Sequence, residues 1–555
     1  MILSNAYPGG IWLCDFEFHP PNGGGSNHGV PLCMFALDIT SGEQMHIWQD
    51  ELRQLCESPF PTDASTLFVA YDASIGLGGF LNLGWCLPVN VLDLFTEFRC
   101  LTNGITLPHG SNLLGAFIYF GISGISSIDN CESNVHSLAK LLTSMLSEID
   151  LDRALLRGEY MTSIARIESI GVPIDLTLLQ LLMSNWNSVQ DSLVSSVDQT
   201  FGVFKGRSFS SVRFQQYLSM SNVHWPYLPN GSLDLSDETF RKMARIYPEI
   251  EPLRELRVLL SNMRLENLSV DNNSRNRCML SPFHSKTGRN QPSNSKFIFG
   301  PSVWLRGLIK PAPGYGLAHI DWEQQEFGIA GALSGDLNMM EAYSSGDPYL
   351  TFAIQAGAVP SYATKHSHQL ERDQFKLCVL AVQYGMGPDS LAILIKQPVA
   401  RARQLLDLHR RTYQNFWIWS DQCLNEAILS GRLWTNFGWQ IQVEKNPNER
   451  SLRNFPMQAH GAEMLRISCI LLTRACIRIC ATVHDSILIE APLDQLDAAV
   501  ETTTFLMREA SRIVLSGFEL SSEAKIVRYP DRYMDARGQA MWNKVMELLN
   551  EPQYQ

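Results

Sequence analysis

Two aspartates far apart in the chain, Asp321 and Asp485, each stand where an apolar, strand-like pattern ends. Asp321 lies in HIDWEQQEFGIAGALSGD, and Glu326 follows five residues later at the start of a helical pattern. Asp485 follows His484 in VHDSILIEAP, a polar pair in a tight turn between two apolar runs. A strand-end acid is commonly a helix cap, and a His-Asp turn is commonly turn chemistry. Met in one sheet, however, two such carboxylates could hold Mg²⁺, which takes one or two carboxylates and fills its other positions with phosphate oxygens and water. Phosphoryl transfer needs such a pair, one ion activating a hydroxyl and the other neutralising the leaving group.

A third group lies on RDQFKLCVLAVQYGMG. Arg372, Lys376, Leu380 and Tyr384 are spaced by four, so on a helix they climb one face with a drift of roughly 40° per step. Two cations in the N-terminal half of a helix oppose its dipole, which favours anions there. They suit a clamp on a triphosphate, or else form a solvated basic edge. Residues 271–310 add Arg275, Arg277, Lys286, Arg289, Lys296, Arg306 and Lys310 against Asp271 alone, a basic tract suited to phosphate contacts or to a solvated face.

The elements that must position these groups follow from the pattern. A chain of 555 residues exceeds one core and implies three or four domains or subdomains. Its 45% hydrophobic and 18% charged residues suit a globular protein. The net charge of −12 belongs wholly to residues 1–150, with 15 acidic and 3 basic residues; the rest carries 41 of each. The twelve cysteines form no C-x-x-C pair and read as reduced core thiols. There is no apolar run of 18 residues, no basic n-region and no Arg-rich leader, so the expected location is the cytoplasm.

Strands are expected in GIWLCDFEF, LCMFALDI, TLFVAYDAS and LPVNVLDLF, giving an α/β domain that ends near residue 150. Helices follow from 151 to about 270, including one long helix through PEIEPLRELRVLLSNMRLENL. The strand YGLAHIDW leads into the Asp321 helix, 337–445 is mostly helical, CIRICATVHDSILIEAP forms two strands, and two terminal helices close the chain.

Taken in order, these segments resemble motifs A, B and C of the family A DNA polymerases. Motif A in that family runs Asp-Tyr-Ser-Gln-Ile-Glu and leads to Leu-Ser-Gly-Asp; here Asp321 to Glu326 is followed in register by Leu333-Ser334-Gly335-Asp336. Motif B matches at Arg372, Lys376, Tyr384 and Gly385, and motif C at His484 and Asp485. Thr287-Gly288-Arg289 resembles the TGR element, Asn294 begins a stretch leading to Arg306, and Arg450, Asn454 and Gln458 match positions that contact the primer–template.

The resemblance implies a right-hand fold of palm, fingers and thumb behind a ribonuclease-H-like domain of the 3′–5′ exonuclease type. It places that domain at 1–150, the thumb at 151–285, the palm at 286–336 and 446–555, and the fingers at 337–445. It implies template-directed DNA synthesis, in replication or repair, by a cytoplasmic monomer whose partners are primer–template DNA and deoxynucleoside triphosphates, not a membrane. Two Mg²⁺ ions, replaceable by Mn²⁺, would be held by Asp321, Asp485 and the Trp322 carbonyl. Arg372 and Lys376 would bind the triphosphate, Leu380, Tyr384 and Gln324 would line the nucleotide site, and Glu326 would exclude a 2′-hydroxyl. His484, Arg289, Asn294, Arg306, Arg450, Asn454 and Gln458 would contact DNA. Ser486 stands where the family often has Glu, which removes a third acid, and Leu380 replaces an aromatic residue.

The first 150 residues resemble the proofreading exonuclease, with Asp15 and Glu17 matching its first motif and no room before it for a 5′-nuclease. The second motif aligns with YDASIGLGGFL, putting Asp72 in the place of Asn and Gly76 in that of the acid. The third aligns with NCESN, putting Asn130 in the place of Tyr and Asn134 in that of the acid. A rescue by Asp72 or Asp129 would shift a carboxylate by one helical turn, about 5–6 Å, which Mg²⁺ geometry near 2.1 Å does not tolerate. The nuclease is therefore expected to be absent or very weak. The rivals are a single-subunit RNA polymerase, disfavoured by Glu326, an exonuclease-dominated enzyme, and a non-catalytic DNA-binding scaffold.

Overall fold

The computed structural model describes residues 5–19, 29–122, 130–262, 265–300, 302–383 and 385–550. Near the N-terminus five strands form one sheet: β1 (Ile11–Phe18), β2 (Pro31–Asp38), β3 (Gln44–Trp48), β4 (Leu67–Ala70) and β5 (Asn90–Asp93), in the order β3-β2-β1-β4-β5. β1, β2 and β3 pair antiparallel, whereas β4 and β5 run parallel beside β1. This is the strand order of a ribonuclease-H-like domain.

Both faces of the sheet are covered, so β2 and β4 are nearly continuous apolar runs and β1 is apolar as far as Asp15. Helix α1 (Ala73–Leu83) and helix α3 (Leu151–Ile170) cover one face, around Trp12, Phe16, Phe68 and Phe80. Helix α2 (Cys131–Met145) covers the other, around Leu13, Phe35, Val69 and Leu138. A Cβ at Gly158 of α3 would collide with the Val91 carbonyl, so glycine permits this close approach of helix to strand. Its neighbour Arg157 donates from Nε and Nη2 to both oxygens of buried Glu97 at 2.7 Å.

Beyond α4 (Leu176–Phe201) and several shorter helices, β6 (Tyr315–Trp322) opens a second sheet. It is followed by helices α5 (Gln325–Ser334), α6 (Pro348–Gln355), α7 (Gln369–Gln383), α8 (Val399–Thr412), α9 (Gln414–Ser430) and α10 (Glu449–Arg474). The chain then returns through β7 (Arg478–Val483), β8 (Ser486–Pro492), α11 (Leu496–Val514) and β9 (Ser522–Arg528). The sheet order is β7-β8-β6-β9, antiparallel throughout, with α11 packed beneath it. Among the described residues no helix is long and apolar enough to cross a membrane.

Four expectations need correction. The segment PEIEPLRELRVLLSNMRLENL is not one helix: a 3-10 turn at Pro248–Ile250 precedes the helix Glu251–Asn262, and Leu265–Asn267 is a separate turn. In LPVNVLDLF only Asn90–Asp93 is strand, because Asp93 accepts from the Phe95 amide and caps the helix Leu94–Thr102. The last stretch is not two helices alone, since β9 lies between them. The basic tract is mostly paired within the protein: Arg275 with Glu490, Arg277 with Asp271, Arg289 with Glu326, Arg306 with Asp535 and Lys310 with Asp175. Lys286 and Lys296 remain exposed.

Candidate active site at the end of the second sheet

Strand alternation along β6 puts Ala318, Ile320 and Trp322 into the core and His319 and Asp321 on the opposite face. In the antiparallel register Asp321 stands opposite Ser486 of β8, and Ser486 opposite Val483 of β7. The intervening turn is only His484-Asp485, with His484 in the left-handed region at φ 56°. The register therefore delivers Asp485 beside Asp321, close enough for each carboxyl group to feel the other. Loss of solvation first, then the charge of Asp485, raise the Asp321 carboxyl well above its ordinary range. Among the described residues no Lys, Arg or His forms an ion pair with either carboxylate. Two facing carboxylates without a countercharge are a donor set suited to a hard divalent cation.

Three neighbours were not visible as site residues in the sequence. On the other side of β6, Glu523 of β9 stands directly opposite Asp321 and adds its charge there. Ser486 donates to the Val483 carbonyl at 2.7 Å and contacts His319 Nε2 at 2.9 Å, so the imidazole Nε2–H is the donor in that second bond. Burial, then the charges of Arg306 and Lys525, lower His319 to about 4, and it is neutral near pH 7. The i, i+2 spacing of His319 and Asp321 was the available signal. The third neighbour, Tyr349, flanks both cations of α7.

Gln324 begins α5 from a left-handed backbone (φ 42°), which turns Glu326 into the first helical turn. Arg289 Nη2 donates to Glu326 Oε1 at 3.1 Å. The loop carrying Arg289 is fixed by Gly288 (φ 73°), whose carbonyl accepts from Arg466 at 2.9 Å and whose α-carbon faces the Trp439 ring. Arg289 thus reaches Glu326, the residue expected from the sequence to exclude a 2′-hydroxyl.

On α7 the guanidinium of Arg372 donates to Asp347 Oδ2 at 2.6 Å and lies 5.5 Å from the Tyr349 ring centre. Lys376 is exposed, with its ammonium 5.6 Å from the same ring. Leu380 is half-buried on that helix, and Tyr384 lies outside the described residues. Gly385 (φ 61°) leaves room for the Arg450 side chain at the start of α10. Arg450, Asn454 and Gln458 follow one another along α10; Arg450 is exposed and the other two half-buried. A cavity of about 450 Å³ between α7, α8, α9 and α10 is lined in part by Gly385, Arg410, Trp417, Arg450 and Asn454. Asn294 is exposed in a turn. Arg306, by contrast, is drawn inward by Asp535 at 2.6 Å and by the Phe299 carbonyl and ring.

In the first domain Asp15 and Glu17 face α2. Asn134 donates to Asp15 Oδ2 at 2.8 Å, and the Cys131 amide donates to Glu17 Oε1 at 2.8 Å. Asn130 caps α2 by accepting from the Ser133 amide. Asp72 is the N-cap residue just before α1, in a left-handed backbone, while Gly76 lies one turn further on, buried against Phe68. Asp129 and the stretch from Gly124 lie outside the described residues.

Comparison with known proteins gives the same picture. Residues 238–526 match the family described as DNA polymerase family A. The chain is 23% identical over 377 residues to DNA polymerase I of Chloroflexus aurantiacus, covering 62% of this chain and 40% of that protein. It is 25% identical over 384 residues to the DNA polymerase of Mycobacterium phage D29, covering 66% of this chain and 62% of the phage protein. The chain thus spans roughly half the length of these curated relatives. A solved structure, the POL domain of Pol1 from M. smegmatis in complex with DNA primer-template and dNTP, superimposes with a TM-score of 0.75 at 17% identity over 95% of this chain and 97% of that one. That likeness establishes the right-hand fold.

Proposed function

The chain belongs to the family A DNA polymerases, and on that premise we propose that it adds deoxynucleotides to a DNA primer under the direction of a template. The observation that carries this is the pairing of Asp321 and Asp485 at adjacent strand ends with no cationic partner among the described residues. Two Mg²⁺ ions, or Mn²⁺ in their place, held by these carboxylates and the Trp322 carbonyl would activate the primer 3′-hydroxyl and neutralise the leaving pyrophosphate.

The chain's own residues do the rest. Lys376, without an acidic partner among the described residues, holds the triphosphate, and Arg372 joins it by exchanging Asp347 for phosphate oxygens. Glu326, steadied by Arg289, fills the space a ribose 2′-hydroxyl would need, while Leu380, Tyr384 and Gln324 border the nucleotide. His484, Asn294, Arg450, Asn454 and Gln458 approach the DNA. The thumb is 151–285, the palm 286–336 with 446–555, and the fingers 337–445. The protein acts as a monomer in the cytoplasm on primer–template DNA.

The first domain, 1–150, supports the DNA without degrading it, because Asp15 and Glu17 are engaged by Asn134 and the α2 amide. An amide is neutral and supplies no charge to balance a metal pair.

A labelled hairpin primer–template incubated with the full chain and Mg²⁺ tests both parts. Extension that follows the template sequence with deoxynucleotides, and an intact primer without them, is expected. Equal use of ribonucleotides, or no extension, contradicts the first part. Removal of a mismatched 3′-end that is lost in Asp15→Ala contradicts the second.

A further inference from the structure

Outside the polymerase centre, the described residues contain one group of three metal-ligating side chains: Cys33, His46 and Cys131, whose donor atoms all lie within 4.8 Å of one another. Three separate elements converge to make it. Cys33 lies on β2 opposite Glu17 and Trp48, and His46 lies on β3 opposite Phe35, so Cys33 and His46 are diagonal neighbours on one face. Cys131 is the first residue of α2, and its amide is held over the same face by Glu17.

The chemistry of the group is that of a soft or borderline cation. Both thiols are buried, at 1% and 0% exposure, with their sulfurs 3.4 Å apart. A tetrahedral zinc ion with Zn–S bonds near 2.3 Å requires sulfurs roughly 3.8 Å apart, an opening of a few tenths of an ångström. The His46 ring is fixed by Trp48 stacked at 4.8 Å and Phe35 edge-on at 5.7 Å, so the imidazole is preorganised. Glu132 Oε2 stands 3.8 Å from His46 Nδ1. Mg²⁺ prefers an all-oxygen shell, whereas two sulfurs and one nitrogen select zinc-class ions.

We propose that Cys33, Cys131 and His46, with a water oxygen in the fourth position, bind a thiophilic divalent cation of the zinc class. Binding replaces the two thiol protons, which leave to solvent. The ion pins the N-terminus of α2 to β2 and β3, beside the contacts that Asn134 and the Cys131 amide make with Asp15 and Glu17. It is a structural staple at the place where an active nuclease would hold catalytic ions. The inference is independent of the polymerase reading.

The test uses the full chain, stripped of metal and kept reduced with a phosphine, titrated with Co²⁺ and then Zn²⁺. The expected result is a thiolate-to-cobalt absorption band that saturates at one equivalent, is displaced by zinc, and is accompanied by a zinc-dependent rise in melting temperature. The band should vanish in Cys33→Ser and Cys131→Ser. His46→Gln changes an exposed residue and keeps the fold; its Co²⁺ affinity should fall by roughly tenfold or more, the scale of losing one supporting group at a metal site. Absence of the band in the wild type, its persistence in either serine variant, or an unchanged affinity in His46→Gln would overturn the proposal. So would a Cys33–Cys131 disulfide found in place of bound metal under these reducing conditions.

Discussion

Glu326 accepts from Arg289, and that bond ties the proposed gate carboxylate to a loop that is itself gripped by Arg466 and Trp439. Glu326→Ala should therefore widen the sugar site and lower the preference for deoxy- over ribonucleotides by about 10–200-fold, the range for admitting or excluding one small group. Arg289→Ala should shift the same ratio in the same direction by releasing the carboxylate; single-nucleotide incorporation kinetics with both sugars measures it. An unchanged ratio in Glu326→Ala removes the gate assignment. For Lys376, losing a charge-assisted contact worth ~1.5–3 kcal/mol predicts a 10- to 100-fold rise in deoxynucleotide KM with primer–template affinity retained. Weakened DNA binding at normal nucleotide affinity would place the lysine elsewhere. At this scale the grouping was legible: Asp321 with Asp485, and Arg372 with Lys376, are polar intrusions in apolar segments that the fold brings together. Their internal partners were not, because Asp347, Tyr349 and Glu523 become neighbours only through folding.

Among the elements, β9 shows why periodicity fell short. SEAKIVR alternates, but it sits at a sheet edge with charged side chains on its outer face, so it carries no apolar run. The basic tract 271–310 misled for a related reason: Arg275 and Arg306 are neutralised by Glu490 and Asp535, more than 200 residues away. Such pairing is invisible in local charge. Two packing consequences can be measured. Glu97 and Arg157 join α3 to the helix after β5 as a buried bidentate pair, and Glu97→Ala leaves an arginine uncompensated. It should destabilise by roughly 3–5 kcal/mol, seen as a lowered denaturation midpoint; Glu97→Gln should cost less. His409 is enclosed by Phe352, Tyr413 and Phe416 and accepts from Trp417 Nε1 at 3.2 Å. Burial lowers it to about 3, below its unfolded value of about 6.5. The unfolded state therefore binds the proton first as pH falls. The stability from neutral His409 is present above about pH 6.5 and is lost towards pH 3, the loss at pH 5.5 being on the order of 1 kcal/mol. Denaturation at pH 7.5 and 5.5 should show this loss, reduced in His409→Asn; an identical slope in both proteins would contradict it.

Across the whole molecule, one sheet of mixed strands leads to a second sheet whose register brings Asp321 and Asp485 together. The architecture was legible as an ordered series of motifs, because only one arrangement brings motif A and motif C to neighbouring strand ends. The closure of the first domain's carboxylates onto α2 was legible only as substitutions, Asn130 and Asn134 in acidic or aromatic places. The hydrogen bonds that now occupy Asp15 and Glu17 needed the fold. The central claim is that the Asp321–Asp485 pair supplies the metal site for primer extension. Its most direct measurement is single-turnover extension of a hairpin primer–template by wild type, Asp321→Ala and Asp485→Ala, with DNA affinity followed by fluorescence anisotropy. Each variant should bind DNA as the wild type does and lose more than about a hundredfold in extension rate, beyond the 10–100-fold range of residues that only support a metal ligand. Extension within about tenfold of wild type in either variant, with DNA bound equally well, would contradict the account.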